Sequence, residues 1–79
     1  LMSGGEGVVN RISEVPVPNP SPPDIRALSR EEWRFLALCD GKRDLREIAR
    51  LMGEDLRRVR ILAESLRARG YLLDVRVRI

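Results

Sequence analysis

Histidine is absent from this chain, and cysteine occurs once, at Cys39. A single cysteine excludes an intrachain disulfide, and without histidine the chain has neither a Cys/His metal site nor a Cys–His nucleophile pair. One lone thiol is typical of a reducing compartment, so we expect a cytoplasmic protein. Because Cys39 lies in an apolar segment, it is predicted to be a small buried hydrophobe.

Long apolar runs and glycine-rich phosphate loops are missing as well. No stretch approaches the roughly 20 apolar residues of a membrane span, and the first residues do not resemble a signal peptide. The Glu31-Glu32 pair is explained by a helix start, where carboxylates suit the helix dipole. We therefore expect no enzyme activity, no cofactor, no metal and no membrane association.

Positive charge is concentrated toward the carboxyl end. The net charge is +3, and residues 1–53 contribute nothing to it because eight basic side chains there face eight acidic ones. Residues 54–79 hold seven arginines against four carboxylates. This excess predicts a surface that faces phosphates. The alternative is a solvated face in an arginine-rich chain, since 14 of the 15 basic residues are arginine.

All five prolines lie between Pro16 and Pro23. Such a segment is neither a helix nor a central strand, so residues 16–27 are predicted to be an extended linker. Before it, residues 8–15 have the β-branched character of a strand arm. Residues 1–7 are expected to be disordered or a tag remnant. Residues 28–79 would then form the folded domain.

Two capping boxes predict the first two helices. Ser29 with Glu32 marks the start of one, with Leu28 and Trp33 at the staple positions, and Asp40-Gly41 ends it. Asp44 with Glu47 starts the second, which Gly53 ends. The apolar faces are assigned to Trp33, Leu36, Ala37 and Cys39 in the first helix and to Leu45, Ile48, Ala49 and Met52 in the second.

A third helix is predicted from about Asp55 to Arg69, with Gly70 as its left-handed cap. Two helices that each start with a capping box, followed by a glycine turn and a third helix, are typical of a helix-turn-helix. The proposed core contains residues from all three helices and the strand after them: Trp33, Leu36, Leu45, Ile48, Leu56, Val59, Leu66 and Leu72.

Residues 71–79 are predicted to be a strand. Val75, Val77 and Ile79 alternate with Arg76 and Arg78, which indicates one buried and one solvated face. No returning strand follows in the sequence, so this strand needs another partner. The candidates are the 8–15 arm, the same strand of a second chain, and the 42–45 connection. The expected fold is mostly α, a small α+β domain: a winged helix-turn-helix-like three-helix core with a carboxyl-terminal strand and an extended amino-terminal arm.

Residues 28–73 carry the pattern Ser-x-x-Glu-Trp, Leu-Ala, Asp-Gly, Glu-Ile-Ala, Gly and Leu-x-x-x-Gly. This pattern resembles the winged-helix-like carboxyl-terminal part of bacterial PATAN-type proteins of unknown function, which occur alongside response-regulator and signalling domains. The resemblance implies a fold and a regulatory or adaptor context, and no catalytic residues. The Asp-Gly and Glu-Ile-Ala elements are also similar to PqqD-like peptide chaperones, whose strand-rich amino end differs from the proline run here.

Double-stranded DNA is the first partner that the sequence suggests, for a module of a transcriptional or signalling regulator. Arginines lie in the first turns of the third helix, where this motif contacts bases and phosphates, and others could follow the backbone. The candidate DNA-binding residues are Arg43, Arg46, Arg57, Arg58, Arg60, Arg67, Arg76 and Arg78.

A protein partner or a homodimer is the alternative, with a PqqD-like peptide-binding module as the second alternative. Glu54 and Asp55 would repel phosphates at the start of the third helix, and small polar base readers are missing from residues 54–64. Ile61 and Leu62 cannot both be buried, and an exposed aliphatic side chain suits a protein interface. The candidate interface residues are Ile61, Leu62, Val75, Val77 and Ile79.

Overall fold

The computed structural model describes residues 12–78. In chain order these form β1 (Ser13–Pro18), a 3₁₀ helix (Ile25–Ala27), α1 (Arg30–Leu38), α2 (Leu45–Met52), α3 (Leu56–Ala68) and β2 (Leu72–Arg78). The two strands pair as one antiparallel sheet, so the expectation of a small α+β fold is confirmed. The segment 1–7, the arm up to residue 11 and Ile79 lie outside the described residues.

The first two helices begin at the capping residues that the sequence indicates. Ser29 Oγ accepts a hydrogen bond from the Glu32 N–H at 3.1 Å, and Glu32 Oε1 accepts one from the Ser29 N–H at 2.9 Å. Asp44 Oδ1 accepts from the Glu47 N–H at 2.8 Å. The predicted second box is only half formed, because Glu47 pairs with Arg50 at 2.6 Å instead of accepting from the Asp44 N–H. These side chains satisfy N–H groups that have no partner within a helix, which fixes where α1 and α2 start.

A glycine precedes α3 and another follows it. Gly53 has a left-handed φ of 68° and closes α2, and Asp55 then caps α3, so that three residues separate the two helices. Gly70 has a φ of 91°, and a Cβ there would lie 3.5 Å from the Pro23 ring. A residue with a side chain would be strained at either glycine because of this backbone conformation.

Strand β1 differs from the prediction because it includes Pro16 and Pro18, which were assigned to the linker. Two prolines two residues apart direct both nitrogens to the same side of the strand. Val15 and Val17 therefore keep the N–H groups that an antiparallel partner needs. In a two-stranded sheet β1 has one outer edge, and that is where proline is tolerated. Of the three candidate partners for β2, the amino-terminal arm is the one found within the chain.

The chain after β1 is fastened to the turn between α3 and β2. The Asn19 N–H donates to the Tyr71 carbonyl at 3.1 Å, and Asn19 Nδ2 donates to the Gly70 carbonyl at 2.9 Å. The Tyr71 hydroxyl donates to the Asp24 carbonyl at 2.6 Å. The proline run is therefore held against the domain, although its sequence indicates a plain linker.

The core lies between the three helices and the first residues of β2. Of the eight predicted core residues, five are buried and two, Leu36 and Leu56, are half-buried against the core. The prediction is wrong for Trp33, which is 49% exposed, and Ala37 on the same helix is also exposed. Phe35, which is fully buried, occupies the position expected for Trp33. The five buried residues are Leu45, Ile48, Val59, Leu66 and Leu72.

Cys39 is buried, as the sequence predicts, and its Sγ lies 3.3 Å from the Phe35 carbonyl oxygen. Burial raises the pKa of this thiol to about 12. Because the thiolate is the nucleophile, the folded chain should react with iodoacetamide on the order of a thousandfold more slowly than an exposed cysteine at pH 8. Mass spectrometry against time measures this rate. The same thiol in denaturant is the control, and equally rapid labelling of the folded chain would contradict the prediction.

Candidate interaction surfaces

The outward side of α3 carries both charge and apolar surface. Val59, Leu62, Ala63 and Leu66 face the core, so the side chains at i, i+4 and i+7 from Arg57 form the line that points away from it. That line consists of Arg57, Ile61 and Glu64, all exposed. Ile61 is 60% exposed, so a large aliphatic side chain lies between one cation and one carboxylate.

On one flank of α3, an arginine forms an ion pair with α1. Arg58 donates from Nε to Glu31 Oε2 at 3.1 Å and from Nη2 to Glu31 Oε1 at 2.5 Å. This hydrogen bond with Arg58 lowers the pKa of the Glu31 carboxyl and raises the pKa of Arg58. Both groups are therefore charged at neutral pH, and the pair contributes no net charge to the surface.

The other flank of α3 is paired with the sheet. Arg60 Nη2 lies 2.9 Å from Glu14 Oε1 on β1, and Arg67 Nε lies 3.9 Å from Asp74 Oδ1 on β2. With Arg58, three of the four predicted DNA-binding arginines of α3 have a carboxylate of another element beside them. A phosphate that approached these arginines would meet those carboxylates as well.

Arg43 stabilises the turn between α1 and α2. Its Nη1 donates to the Leu38 carbonyl at 3.2 Å and lies 3.5 Å from Asp40 Oδ2. Asp40 Oδ1 in turn accepts from the Lys42 and Arg43 N–H groups, and the backbone hydrogen bond from Arg43 is the main cause of the lowered pKa of Asp40. These contacts give Arg43 a structural role in the turn.

The remaining four predicted DNA-binding arginines are exposed and have no ion pair within residues 12–78. They fall on three different elements. Two are near the helix starts and two are on the last strand: Arg46 on α2, Arg57 on α3, and Arg76 and Arg78 on β2.

The predicted interface residues divide into exposed and buried side chains. Leu62 is buried, so its assignment to an interface is wrong, and Ile61 is the exposed member of that pair. Val75 is half-buried against the core, whereas Val77 is 63% exposed. Of the two described residues of the predicted buried face of β2, Val75 is therefore covered and Val77 is not.

Several residues of these surfaces were not expected from the sequence. Leu73 is 58% exposed and adds a second largely exposed aliphatic side chain to β2. The carboxylates Glu14, Glu31 and Asp74 were not expected to pair with the arginines of α3. Glu31 and Glu14 are 27 and 46 positions from their partners Arg58 and Arg60, so no local pattern indicates these two pairs. Asp74 follows Arg67 by seven residues, across the turn between α3 and β2. Strand alternation does not indicate the position of Leu73, because the register shifts between Val17 and Pro18 and leaves Leu73 without a partner on β1.

Within residues 12–78 no group of His, Cys, Asp and Glu side chains is arranged to hold a metal ion. None of the helices in this part of the chain is both long and apolar enough to cross a membrane. Comparison of the sequence with family models and with curated proteins, and of the fold with solved structures, finds no match. The resemblance to PATAN-type proteins thus stays a prediction.

Proposed function

We propose that this domain is a protein-interaction module with a winged helix-turn-helix type of fold. The three-residue turn between α2 and α3, with Gly53 in the left-handed conformation, and the strand directly after α3 support this fold assignment. In this assignment α3 is the recognition helix. The regulatory or adaptor context implied by the resemblance to PATAN-type proteins agrees with such a role.

The observation that carries the proposal is the make-up of the outward side of α3. Ile61 stands at its centre, and the arginines on both flanks are neutralised by Glu31, Glu14 and Asp74. A patch of this kind has an apolar centre with a polar rim of balanced charge. That arrangement is typical of protein interfaces, where charged residues are depleted at the core and kept at the rim.

DNA binding is the second candidate, and one observation favours it. Arg46 and Arg57 are exposed near the starts of α2 and α3 and have no ion pair within residues 12–78. These are positions from which a helix-turn-helix contacts phosphates and base edges. Against it, Glu64 lies one turn after Ile61 on the same line, where it would repel the phosphate backbone.

The proposal is tested by capturing partners from nuclease-treated lysate of the source organism with three baits. The wild-type domain and the Ile61→Leu variant should retain the same protein, because both keep an aliphatic side chain. The Ile61→Glu variant should lose it, because a charge at the centre of an apolar contact costs affinity about tenfold or more. Circular dichroism checks that all three baits are folded to the same extent.

A duplex-binding experiment separates the two candidates. Fluorescence anisotropy with a generic DNA duplex at low and high salt should show no binding that depends on Arg46 or Arg57. Binding that weakens steeply with salt, and that Arg46→Ala and Arg57→Ala reduce, would assign the surface to DNA instead. Retention of the captured protein by Ile61→Glu would remove the interface from α3.

A further inference from the structure

The prolines of β1 determine which backbone groups of β2 remain free. Pro16 lies opposite Val75 and has no N–H to donate, so this is a pair without mutual hydrogen bonds. The neighbouring pairs, Val15 with Arg76 and Val17 with Asp74, then carry the hydrogen bonds between the strands. By the same alternation, the N–H and C=O groups of Val75 and Val77 point away from β1, toward the outer edge of β2.

A side-chain contact supports this orientation. The Val75 N–H donates to Asp74 Oδ1 at 2.8 Å, so it is not engaged with β1. Among residues 12–78 no backbone hydrogen bond joins Val75 or Val77 to another element outside the sheet. Within the described part of the chain, the outer edge of β2 is therefore open along these two residues. The outer edge of β1, by contrast, lacks donors at both prolines and is a poor template for a further strand.

The sequence along the open edge is complementary to itself when it is read in the opposite direction. The run is Leu73-Asp74-Val75-Arg76-Val77. If two copies pair antiparallel with Val75 opposite Val75, each Asp74 lies opposite an Arg76. Each Val77 then comes beside Leu73, the residue that the register shift between Val17 and Pro18 leaves without a partner on β1. Opposite charges and aliphatic pairs directly across an antiparallel ladder are both stabilising.

We propose that a second copy of this chain pairs antiparallel along β2, centred on Val75, to form a four-stranded sheet. In this register the outward N–H and C=O groups of Val75 and its counterpart bond to each other. Asp74 and Arg76 form the closer pairs without backbone hydrogen bonds, where side chains meet most directly. On pairing, the Asp74 carboxylate loses its hydrogen bond from the Val75 N–H of its own chain and forms an ion pair with the Arg76 guanidinium of the second copy.

The two neighbouring registers that also match the backbone groups are unfavourable. Centring the pair on Arg76 would place arginine opposite arginine, and centring it on Asp74 would place carboxylate opposite carboxylate. Like charges directly across a ladder are destabilising. The charges along β2 thus favour one register. They also favour a second copy of β2 over a strand of unrelated sequence.

Exposed apolar surface on β2 supports the same pairing. Leu73 and Val77, two of the seven residues of β2, are 58% and 63% exposed. The two-fold axis of an antiparallel pair stands perpendicular to the sheet, so both copies of α3 lie on the same face. Each Val77 then gains the Leu73 of the second copy as a neighbour. This surface is separate from the outward side of α3, so the pairing goes beyond the function proposed above.

The test uses charge reversal in the full 79-residue chain, with mass measured by light scattering across a concentration series. The wild type should show twice the mass of one chain as concentration rises. Asp74→Arg and Arg76→Asp should each raise the dimer dissociation constant roughly tenfold or more, because each places two like pairs across the interface. An equimolar mixture of the two variants should dimerise again, since every opposing pair is then Arg with Asp.

Two controls separate this register from a general effect of charge. Arg78→Asp changes the net charge as much as Arg76→Asp but lies opposite Leu72 in the proposed register, so it should leave the dimer intact. Glu54→Arg matches Asp74→Arg in charge and lies outside the sheet. A wild type that stays monomeric, single variants that still dimerise, or a mixture that does not recover would each overturn the proposal. An unrelated extended peptide that binds the edge of a monomeric chain would likewise assign it to another occupant.

Discussion

Replacement of Phe35 by alanine is expected to remove most of the free energy of unfolding of this domain. Phe35 is fully buried on α1 and belongs to the core shared with α2, α3 and β2. Removing a buried aromatic ring costs about 3–5 kcal/mol, because the transfer free energy is lost and a cavity remains. Domains of this size have a free energy of unfolding of only about 5 kcal/mol or a little more. Urea titration followed by circular dichroism measures the loss.

Trp33→Ala is the matched control for this prediction. It removes a larger aromatic side chain from the same helix, but from a position that is 49% exposed. Its cost should be below about 1 kcal/mol, since substitutions at the surface change stability little. If the two variants lost similar stability, or if Trp33→Ala lost more, then the face of α1 that carries Phe35 would not be the one that packs against the core.

The burial of Phe35, where the sequence predicted Trp33, shows what the sequence leaves undecided about α1. Successive residues of a helix are rotated by about 100°, so residues two apart lie on nearly opposite faces. Trp33 with Ala37 and Phe35 with Cys39 are thus two competing apolar lines with the same spacing. The choice between them depends on the tertiary contacts of α1, where Glu31 pairs with Arg58 on α3. That contact joins residues that are 27 positions apart.

The helix ends were predictable because their determinants are local. The Ser29–Glu32 box, the Asp44 cap and the left-handed conformations of Gly53 and Gly70 each involve residues within one or two turns. A helix start or stop needs only nearby side chains to satisfy its backbone groups. These features appear in the structure where the sequence places them.

The pairing of the arginines could not be predicted in the same way. Arg60 meets Glu14 across 46 positions, because β1 crosses the domain to reach β2. The net charge of residues 54–79 therefore overstates the positive charge of the surface, since Glu14 and Glu31 come from the other part of the chain. The candidate site was half predictable: the exposed Ile61 follows from helix periodicity, whereas the neutralised flanks follow from the fold.

The spacing of the prolines in β1 leads to the second large effect. Pro16 and Pro18 are compatible with the sheet because their nitrogens face its outer edge, while Val15 and Val17 donate toward β2. A proline moved by one residue would therefore remove a donor from the ladder itself. The sequence Pro-Val-Pro tolerates proline at its two ends and not in its middle.

Val17→Pro is thus expected to release β1 from β2. The substitution leaves a carbonyl of β2 without its partner, which costs roughly 1–3 kcal/mol, and the released strand also exposes the buried Val15 and Pro16. Hydrogen exchange should show lost protection at Asp74 and Arg76, with a lower midpoint of thermal unfolding. Pro18→Val is the control: it adds a donor that faces outward, so protection at both residues should persist. Intact protection in Val17→Pro would mean that the outward direction assigned to the proline nitrogens is wrong, and the open edge of β2 would have to be reassigned with it.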